Sequence, residues 1–107
     1  MRLLDFVVDV DATTHPDRIV VSVVGDLDLY TCGPLADALD GIRPRGGILS
    51  LDLSAVPFLG TAALHVLLAL RRRAIDDGWT LELTGVPDQA RRVLDLTDTR
   101  HLFTLLS

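Results

Sequence analysis

Residues 48–73 read ILSLDLSAVPFLGTAALHVLLALRRR, and this segment decides the fold because it joins an apolar strand to a helix. Residues 48–55 form a short apolar run of the kind that is buried when a sheet is covered on both faces. Pro57 cannot donate to a sheet ladder and Gly60 tolerates unusual backbone angles, so a turn is predicted there. Apolar residues then recur at helical spacing from Ala62 to Ile75. The segment therefore predicts a strand, a sharp turn and a helix.

Thr61 stands directly before this helix, a position at which threonine is a common N-cap. Its hydroxyl is then expected beside unpaired backbone N–H groups and the positive end of the helix dipole, where a phosphoryl group is favoured. His65, Arg72 and Asp76 follow at helical intervals and share a side of the helix with Thr61. The spacing leaves two interpretations of Thr61 open, a helix cap with no other role and a functional hydroxyl.

Composition limits the class of protein. Of 107 residues, 49% are hydrophobic, which is enough to build the core of one domain spanning residues 1–107. The net charge of −5 argues against nucleic acid and against an anionic membrane as partner, since both would repel the chain. Asp5 and Asp9 interrupt the apolar N-terminus before it reaches the length of a signal-peptide core or a membrane span. We therefore expect a cytoplasmic protein that does not insert into a membrane.

The chain carries one cysteine, Cys32, so no disulfide can form within it. His15, His65 and His101 are scattered along the sequence and lack zinc-ligand spacing. We predict no metal site and no bound cofactor, and we interpret Cys32 as a packing residue of the first helix.

Strand-like and helix-like segments alternate along the rest of the chain. The fold class is α/β, with a four- to five-stranded mixed sheet and three to four helices in the order β-β-α-β-α-β-α-(β). The first two strands are joined by a short turn and should form an antiparallel hairpin, whereas strands joined through helices should be parallel. Strands are predicted at 3–10, 18–25, 48–55, 79–84 and 102–106, and helices at 32–42, 62–76 and 88–96. The predicted core includes Val21, Val23, Leu49, Leu51, Leu53, Leu67 and Leu81.

Two loops are expected to converge on one site. If the strands at 18–25 and 48–55 are neighbours, their carboxyl ends lie together. The loop that carries Asp26 and Asp28 then lies close to Gly60 and Thr61. The edge where they meet is the part of an open α/β sheet that ligands and partners usually contact.

Catalysis at this site is not predicted. Asp26 and Asp28 could act as paired carboxylates and His65 as a base for Thr61, but the two aspartates also fit turn positions and His65 fits a solvated helix face. Threonine is a weak nucleophile without a dedicated activating base, and the sequence has no glycine-rich phosphate loop. A binding module is favoured over an enzyme.

Three segments together carry a resemblance to a known family. They are VSVVGDLDLYTCGPLADAL at 21–39, LDLSAVPFLGTAALHVLL at 51–68 and GWTLELTGVPDQARRVLDLTDTRHLF at 78–103. The chain resembles the STAS domain over nearly its whole length, in particular the bacterial anti-sigma-factor antagonists. In that family a strand ends in Gly-Glu-Leu-Asp or a close variant, and residues 25–28 match it. A later turn reads Phe-x-Asp-Ser-Ser/Thr-Gly-Leu and is matched by residues 58–64, which puts Thr61 at the phosphoacceptor position.

The turn departs from the family pattern at three positions. Gly60 replaces the usual Asp, Ala62 replaces the second hydroxyl residue and Ala63 replaces a glycine. Losing the Asp removes a group that could orient the hydroxyl of Thr61 for a kinase.

The resemblance implies a partner-switching regulator of sigma-factor-dependent transcription. Such a protein binds an anti-sigma factor that is also an ATP-binding serine/threonine kinase, and phosphorylation at the start of the second helix switches the binding off. A phosphatase would reverse the modification. The implied partner-binding residues are Asp26, Asp28, Gly60, Thr61, Ala62 and His65, with Thr61 as phosphoacceptor. The alternative within the family is a docking subunit independent of phosphorylation, in a phospholipid-transport ABC system or a stressosome-like scaffold.

Overall fold

The structure of the protein is a computed structural model that describes residues 6–44 and 47–106. The predicted order of elements is confirmed, with a short 3-10 helix before the last strand. The start predicted for the first strand, at residues 3–5, lies outside the described residues. The strands are β1 (Val7–Asp11), β2 (Arg18–Val24), β3 (Ile48–Ala55), β4 (Thr80–Thr84) and β5 (Thr104–Leu106). The helices are α1 (Cys32–Leu39), α2 (Thr61–Asp77), α3 (Asp88–Leu96) and the 3-10 helix Arg100–Leu102.

The five strands form one sheet in the order β1-β2-β3-β4-β5. The β1–β2 pair is antiparallel and the other three pairs are parallel, as the hairpin and the helical connections predicted. Strands β2, β3 and β4 therefore end at the same side of the sheet. We call that side the carboxyl edge, and the side at which these strands begin the amino edge.

The core lies between the helices and one face of the sheet. The register places Val21 opposite Leu51, and Leu51 opposite Leu83, so these side chains point the same way. The buried side chains of all three α-helices belong to the same apolar cluster. All seven residues predicted for the core are buried.

The expectation of a sheet covered on both faces is wrong. The helices pack on one face, and the other face carries the alternate residues Ser50, Asp52 and Ser54 of β3. On that open face Arg18 reaches from β2 across β3 to an ion pair with Glu82 on β4. The run in β3 alternates apolar and polar residues, which is the pattern of a strand with a single buried face.

Helix ends differ slightly from the predicted bounds. Helix α1 ends at Leu39 because Asp40 turns to an extended conformation, and Arg73 donates hydrogen bonds to the carbonyls of Leu39 and Ile42. Helix α2 continues to Asp77 and ends at Gly78, whose φ of 78° is a left-handed conformation that favours glycine. Of the helices in the described ranges, none has the length and hydropathy needed to cross a membrane.

Candidate functional site

The two predicted loops meet at the carboxyl edge, as the strand order required. The first loop, residues 25–31, follows β2, and the second loop, residues 56–60, follows β3. The N–H of Leu27 donates to the carbonyl of Phe58 at 2.8 Å, and the N–H of Gly60 donates to the carbonyl of Leu27 at 2.7 Å. Gly25 begins the first loop with a φ of 107°, a backbone conformation that residues with a Cβ atom rarely adopt. The backbones of the two loops are thus held together directly.

The first loop is stabilised by its own side chains. The carboxylate of Asp28 accepts hydrogen bonds from the N–H groups of Tyr30 at 2.9 Å and Thr31 at 3.1 Å. The hydroxyl of Thr31 donates to the carbonyl of Asp26 at 2.7 Å and accepts from the N–H of Asp28 at 2.9 Å. Of the two interpretations of Asp28, the geometry supports that of a turn residue that orders the entry to α1.

The second loop is held from α3. The carboxamide of Gln89 accepts a hydrogen bond from the N–H of Leu59 at 2.7 Å and donates to the carbonyl of the same residue at 3.1 Å. Both backbone groups of Leu59 are therefore satisfied by one side chain from an element 30 residues away. Sequence reasoning missed this contact, because nothing local to residues 56–60 points to a partner on α3.

The prediction that Thr61 is an N-cap is wrong. Gly60 occupies the N-cap position with extended backbone angles, φ −89° and ψ 165°, and Thr61 is the first residue of α2. No side chain caps this helix start by a hydrogen bond. The side chain of Thr61 is exposed. Its hydroxyl still lies at the start of a 17-residue helix, where unpaired N–H groups and the helix dipole favour an anion.

Gly60 leaves space that the ring of Phe58 partly uses. A Cβ at this position would lie 3.2 Å from Cε2 of Phe58 and 3.5 Å from the carbonyl oxygen of Leu27. The ring is 46% exposed and can shift outward, and the backbone angles of Gly60 suit any residue. An aspartate at position 60 therefore fits with a small movement of one side chain.

The remaining predicted residues lie on the first turns of α2. Ala62 is half-buried, and the exposed His65 lies one turn further, on a groove between α1 and α2 that Leu39 and Val66 also line. The structure thus brings Asp26, Asp28, Gly60, Thr61, Ala62 and His65 onto two joined loops and the helix that follows. Their roles in partner binding remain predictions. Within residues 6–44 and 47–106, no three His, Cys, Asp or Glu side chains are grouped to hold a metal ion.

Three large apolar side chains at this edge were not singled out from the sequence. Leu29 is 73% exposed and Tyr30 74% exposed on the first loop, and Phe58 is 46% exposed on the second. The sequence does contain an indication of these side chains. Leu29 and Tyr30 are large apolar residues in a turn segment, where polar residues are usual. These side chains change the site from a purely polar edge to a mixed apolar and acidic surface.

Charges are paired away from this edge. The ion pairs of the described residues join Arg18 to Asp17 and Glu82, Arg43 to Asp77, Arg72 to Asp76, Arg100 to Asp95, and His101 to Asp98. They lie on the open face or toward the amino edge. There, a hydrogen bond from the Arg18 guanidinium lowers the pKa of Asp17. The backbone N–H of Thr14 likewise lowers the pKa of Asp11.

Comparisons with known proteins agree on one family. A family profile described as "Mlab, STAS domain" matches residues 10–106. The anti-sigma-B factor antagonist of Bacillus subtilis is 21% identical over 98 residues, which are 92% of this chain and 90% of that protein. The anti-sigma-B factor antagonist of Listeria monocytogenes is 30% identical over 86 residues, which are 76% of this chain and 72% of that protein.

Solved structures agree with these matches. The crystal structure of an anti-sigma factor antagonist from Mycobacterium paratuberculosis has a TM-score of 0.76 and 29% identity, and covers 98% of this chain and 89% of that one. The Bacillus cell fate determinant SpoIIAA in its phosphorylated form has a TM-score of 0.65 and 12% identity, covering 94% of this chain and 92% of that one. The second likeness is one of fold alone.

Proposed function

The chain belongs to the STAS-domain family, and from that membership we propose that it is an anti-sigma-factor antagonist switched by phosphorylation of Thr61. In this proposal the carboxyl edge docks onto an anti-sigma factor and so releases a sigma factor for transcription. The anti-sigma factor is also the kinase that modifies Thr61. The domain itself is a binding module and a kinase substrate, and it catalyses no reaction.

The observation that carries the proposal is the setting of the Thr61 hydroxyl. It is exposed, it takes no part in capping, and it stands on the first residue of α2. The loop before it is held by Leu27 on one side and Gln89 on the other. A kinase therefore meets an accessible hydroxyl on an ordered turn, and the helix start accommodates the phosphoryl group that results.

The switch follows from charge. Phosphorylation adds about −1.5 to −2 charges at neutral pH. The carboxylate of Asp26 is exposed on the adjoining loop. A partner surface that is complementary to the unmodified carboxyl edge would have to accommodate the charged phosphoryl group. Within the domain itself, the start of α2 stabilises that charge. Modification therefore weakens docking without unfolding the domain.

The chemistry of transfer belongs to the partner. Phosphoryl transfer requires ATP, Mg²⁺ and side chains that position both, and in this proposal the anti-sigma factor kinase holds them. The chain offers the acceptor hydroxyl and the docking edge, and a phosphatase would restore the unmodified state.

The test uses the anti-sigma factor kinase of the source organism, identified from the genes adjacent to the one encoding this chain. The purified domain is incubated with that kinase and Mg-ATP, and the modified residue is located by mass spectrometry. We expect modification at Thr61. The Thr61→Ala variant should bind the partner whether or not ATP is present, and Thr61→Glu should bind poorly because a carboxylate copies part of the phosphate charge.

A matched control is Thr80→Ala, which removes an exposed threonine at the amino edge. This variant should be modified and should bind as the wild type does. Modification at another residue, or none with a kinase that is active on a second substrate, would contradict the proposal.

The second candidate function is docking without phosphorylation, and the presence of Gly60 favours it. The family turn carries a carboxylate at that position, and this chain carries no side chain there. If the missing carboxylate at position 60 slows phosphorylation of Thr61, the Gly60→Asp variant should be phosphorylated faster by the same kinase and should keep its fold. If Thr61→Ala and Thr61→Glu bind a partner equally and Gly60→Asp is not modified, a docking subunit is the better description.

A further inference from the structure

We infer that Leu29, Tyr30 and Phe58, here called the apolar edge, anchor the carboxyl edge in an apolar pocket of a protein partner whose rim is cationic. The inference rests on the proposed function and deepens it. It names which side chains supply the contact and what chemistry the partner surface must offer.

The three side chains of the apolar edge are exposed to solvent. Leu29 is 73% exposed, Tyr30 74% and Phe58 46%, although the same chain buries a large apolar cluster elsewhere. Exposed apolar residues that occur singly need no explanation, but these three lie on two loops joined by backbone hydrogen bonds. Aromatic side chains in such a group are enriched at the centres of protein interfaces.

Hydrogen bonds hold the two loops that carry the apolar edge. The N–H of Tyr30 is held by the carboxylate of Asp28, and the carbonyl of Phe58 accepts from the N–H of Leu27. Leu59, next to Phe58, forms two backbone hydrogen bonds with the carboxamide of Gln89. Loops that are already ordered lose little conformational freedom on binding, so more of the contact energy is available for affinity.

The charge around the apolar edge indicates the chemistry of the partner. Asp26 is exposed beside the apolar edge, and among the described residues neither Asp26 nor Asp28 belongs to an ion pair. The arginines that do form ion pairs lie on the open face or toward the amino edge. A cationic rim complements this surface and an anionic membrane does not, since the chain as a whole carries a charge of −5.

The apolar edge also explains why one phosphoryl group can switch binding. Once apolar side chains exclude water from an interface, a charged group placed beside them loses its hydration, which is costly unless a group of opposite charge pairs with it there. A phosphoryl group on Thr61 then has to be desolvated next to apolar contacts or the interface has to open. In both cases the phosphoryl group lowers affinity for the partner by more than it would in an interface that remains solvated.

The test measures affinity of the wild type and single variants for the purified anti-sigma factor by titration calorimetry. Leu29→Ser, Tyr30→Ser and Phe58→Ser each remove one apolar side chain, and we expect each to weaken binding by roughly tenfold or more. Tyr30→Phe keeps the ring and should bind within about twofold of the wild type. Circular dichroism melting curves verify that each variant is folded.

Matched controls lie at the amino edge. Leu96 is 80% exposed at the end of α3 and Ile75 is 60% exposed near the end of α2. Leu96→Ser and Ile75→Ser remove apolar side chains of comparable exposure and should leave affinity within about twofold. Affinities of all variants should fall as salt rises, because the rim contact is electrostatic.

The outcomes separate this inference from the proposed function. If the wild type binds and Thr61 is modified, yet the three apolar-edge variants bind as tightly as the controls, the inference is overturned and the proposed function stands. If the wild type neither binds the anti-sigma factor nor is modified, both are overturned. Sedimentation with vesicles of phosphatidylcholine and phosphatidylglycerol, abolished by the same variants, would assign the apolar edge to a membrane and overturn the inference.

Discussion

Thr31 and Thr61 are two threonines at the carboxyl edge, each at the entry to a helix, and their hydroxyls have different surroundings. Thr31 is 8% exposed, and its hydroxyl joins the backbone of Asp26 to that of Asp28. Thr61 is exposed and its side chain does not cap α2. One hydroxyl is committed to holding a loop, and the other is available to a partner.

The two loops of the site are held in different ways, which separates structural residues from residues available to a partner. The side chains of Asp28 and Thr31 satisfy backbone groups of the first loop, so changes to these two residues should affect stability. The second loop is held by groups outside it, namely Leu27 and Gln89, so the exposed residue that follows it can change without loss of fold. The free energy of unfolding of variants in the two loops tests that contrast.

The largest effect is expected for Thr31→Val. The substitution keeps the shape of the side chain and leaves the carbonyl of Asp26 and the N–H of Asp28 without their buried partner. Unsatisfied buried polar groups cost about 1–3 kcal/mol, so the free energy of unfolding should fall by that amount. Urea denaturation followed by circular dichroism measures it. A change under about 0.5 kcal/mol would contradict a structural role of the Thr31 hydroxyl.

A smaller loss is expected for Gln89→Leu. The variant removes both hydrogen bonds to Leu59, and each neutral bond contributes about 1 kcal/mol. We expect a loss of about 1–2 kcal/mol together with faster amide hydrogen exchange at Leu59. Arg92→Leu, on the exposed side of the same helix, is the control and should leave exchange at Leu59 unchanged. Equal exchange in both variants would show that Gln89 does not hold the second loop.

Two neighbouring aspartates of the first loop, Asp26 and Asp28, should contribute differently to stability. Asp28→Ala removes the acceptor for the N–H groups of Tyr30 and Thr31 and should lower the free energy of unfolding by about 1 kcal/mol, as the loss of a helix cap does. Asp26→Ala removes an exposed carboxylate and should change it by less than about 0.5 kcal/mol. Partner affinity should fall in the Asp26 variant without loss of stability. Equal stability of the two variants would contradict the turn role of Asp28.

Sequence reasoning was most reliable where side-chain periodicity decides the structure. The parallel strands, the hairpin and the buried positions of Val21, Val23 and Leu51 follow from alternation and from connection length. The expectation of a sheet covered on both faces is wrong because it rests on the leucines of β3 alone, taken as one continuous apolar run. Ser50 and Asp52 between them already indicated a strand with one open face.

The details of the site depended on backbone angles and on distant contacts. Whether Thr61 is the N-cap or the first helical residue depends on the conformation of Gly60, and a glycine permits several. The contact between Gln89 and Leu59 joins elements whose distance in space is set by the whole fold. The convergence of the two loops could be predicted, because parallel neighbours must end at the same edge.

The smallest effect is expected for Thr61→Val, the same change as Thr31→Val at the other helix entry. Had Thr61 been the N-cap, its loss would have cost about 1 kcal/mol. Because Gly60 holds that position and no capping bond is lost, the free energy of unfolding should change by less than about 0.5 kcal/mol. Valine and threonine also have similar helix propensities. The measurement is urea denaturation of the two valine variants side by side. A loss at Thr61 as large as the loss at Thr31 would mean that its hydroxyl is also structural, and the contrast between the two loops would fail.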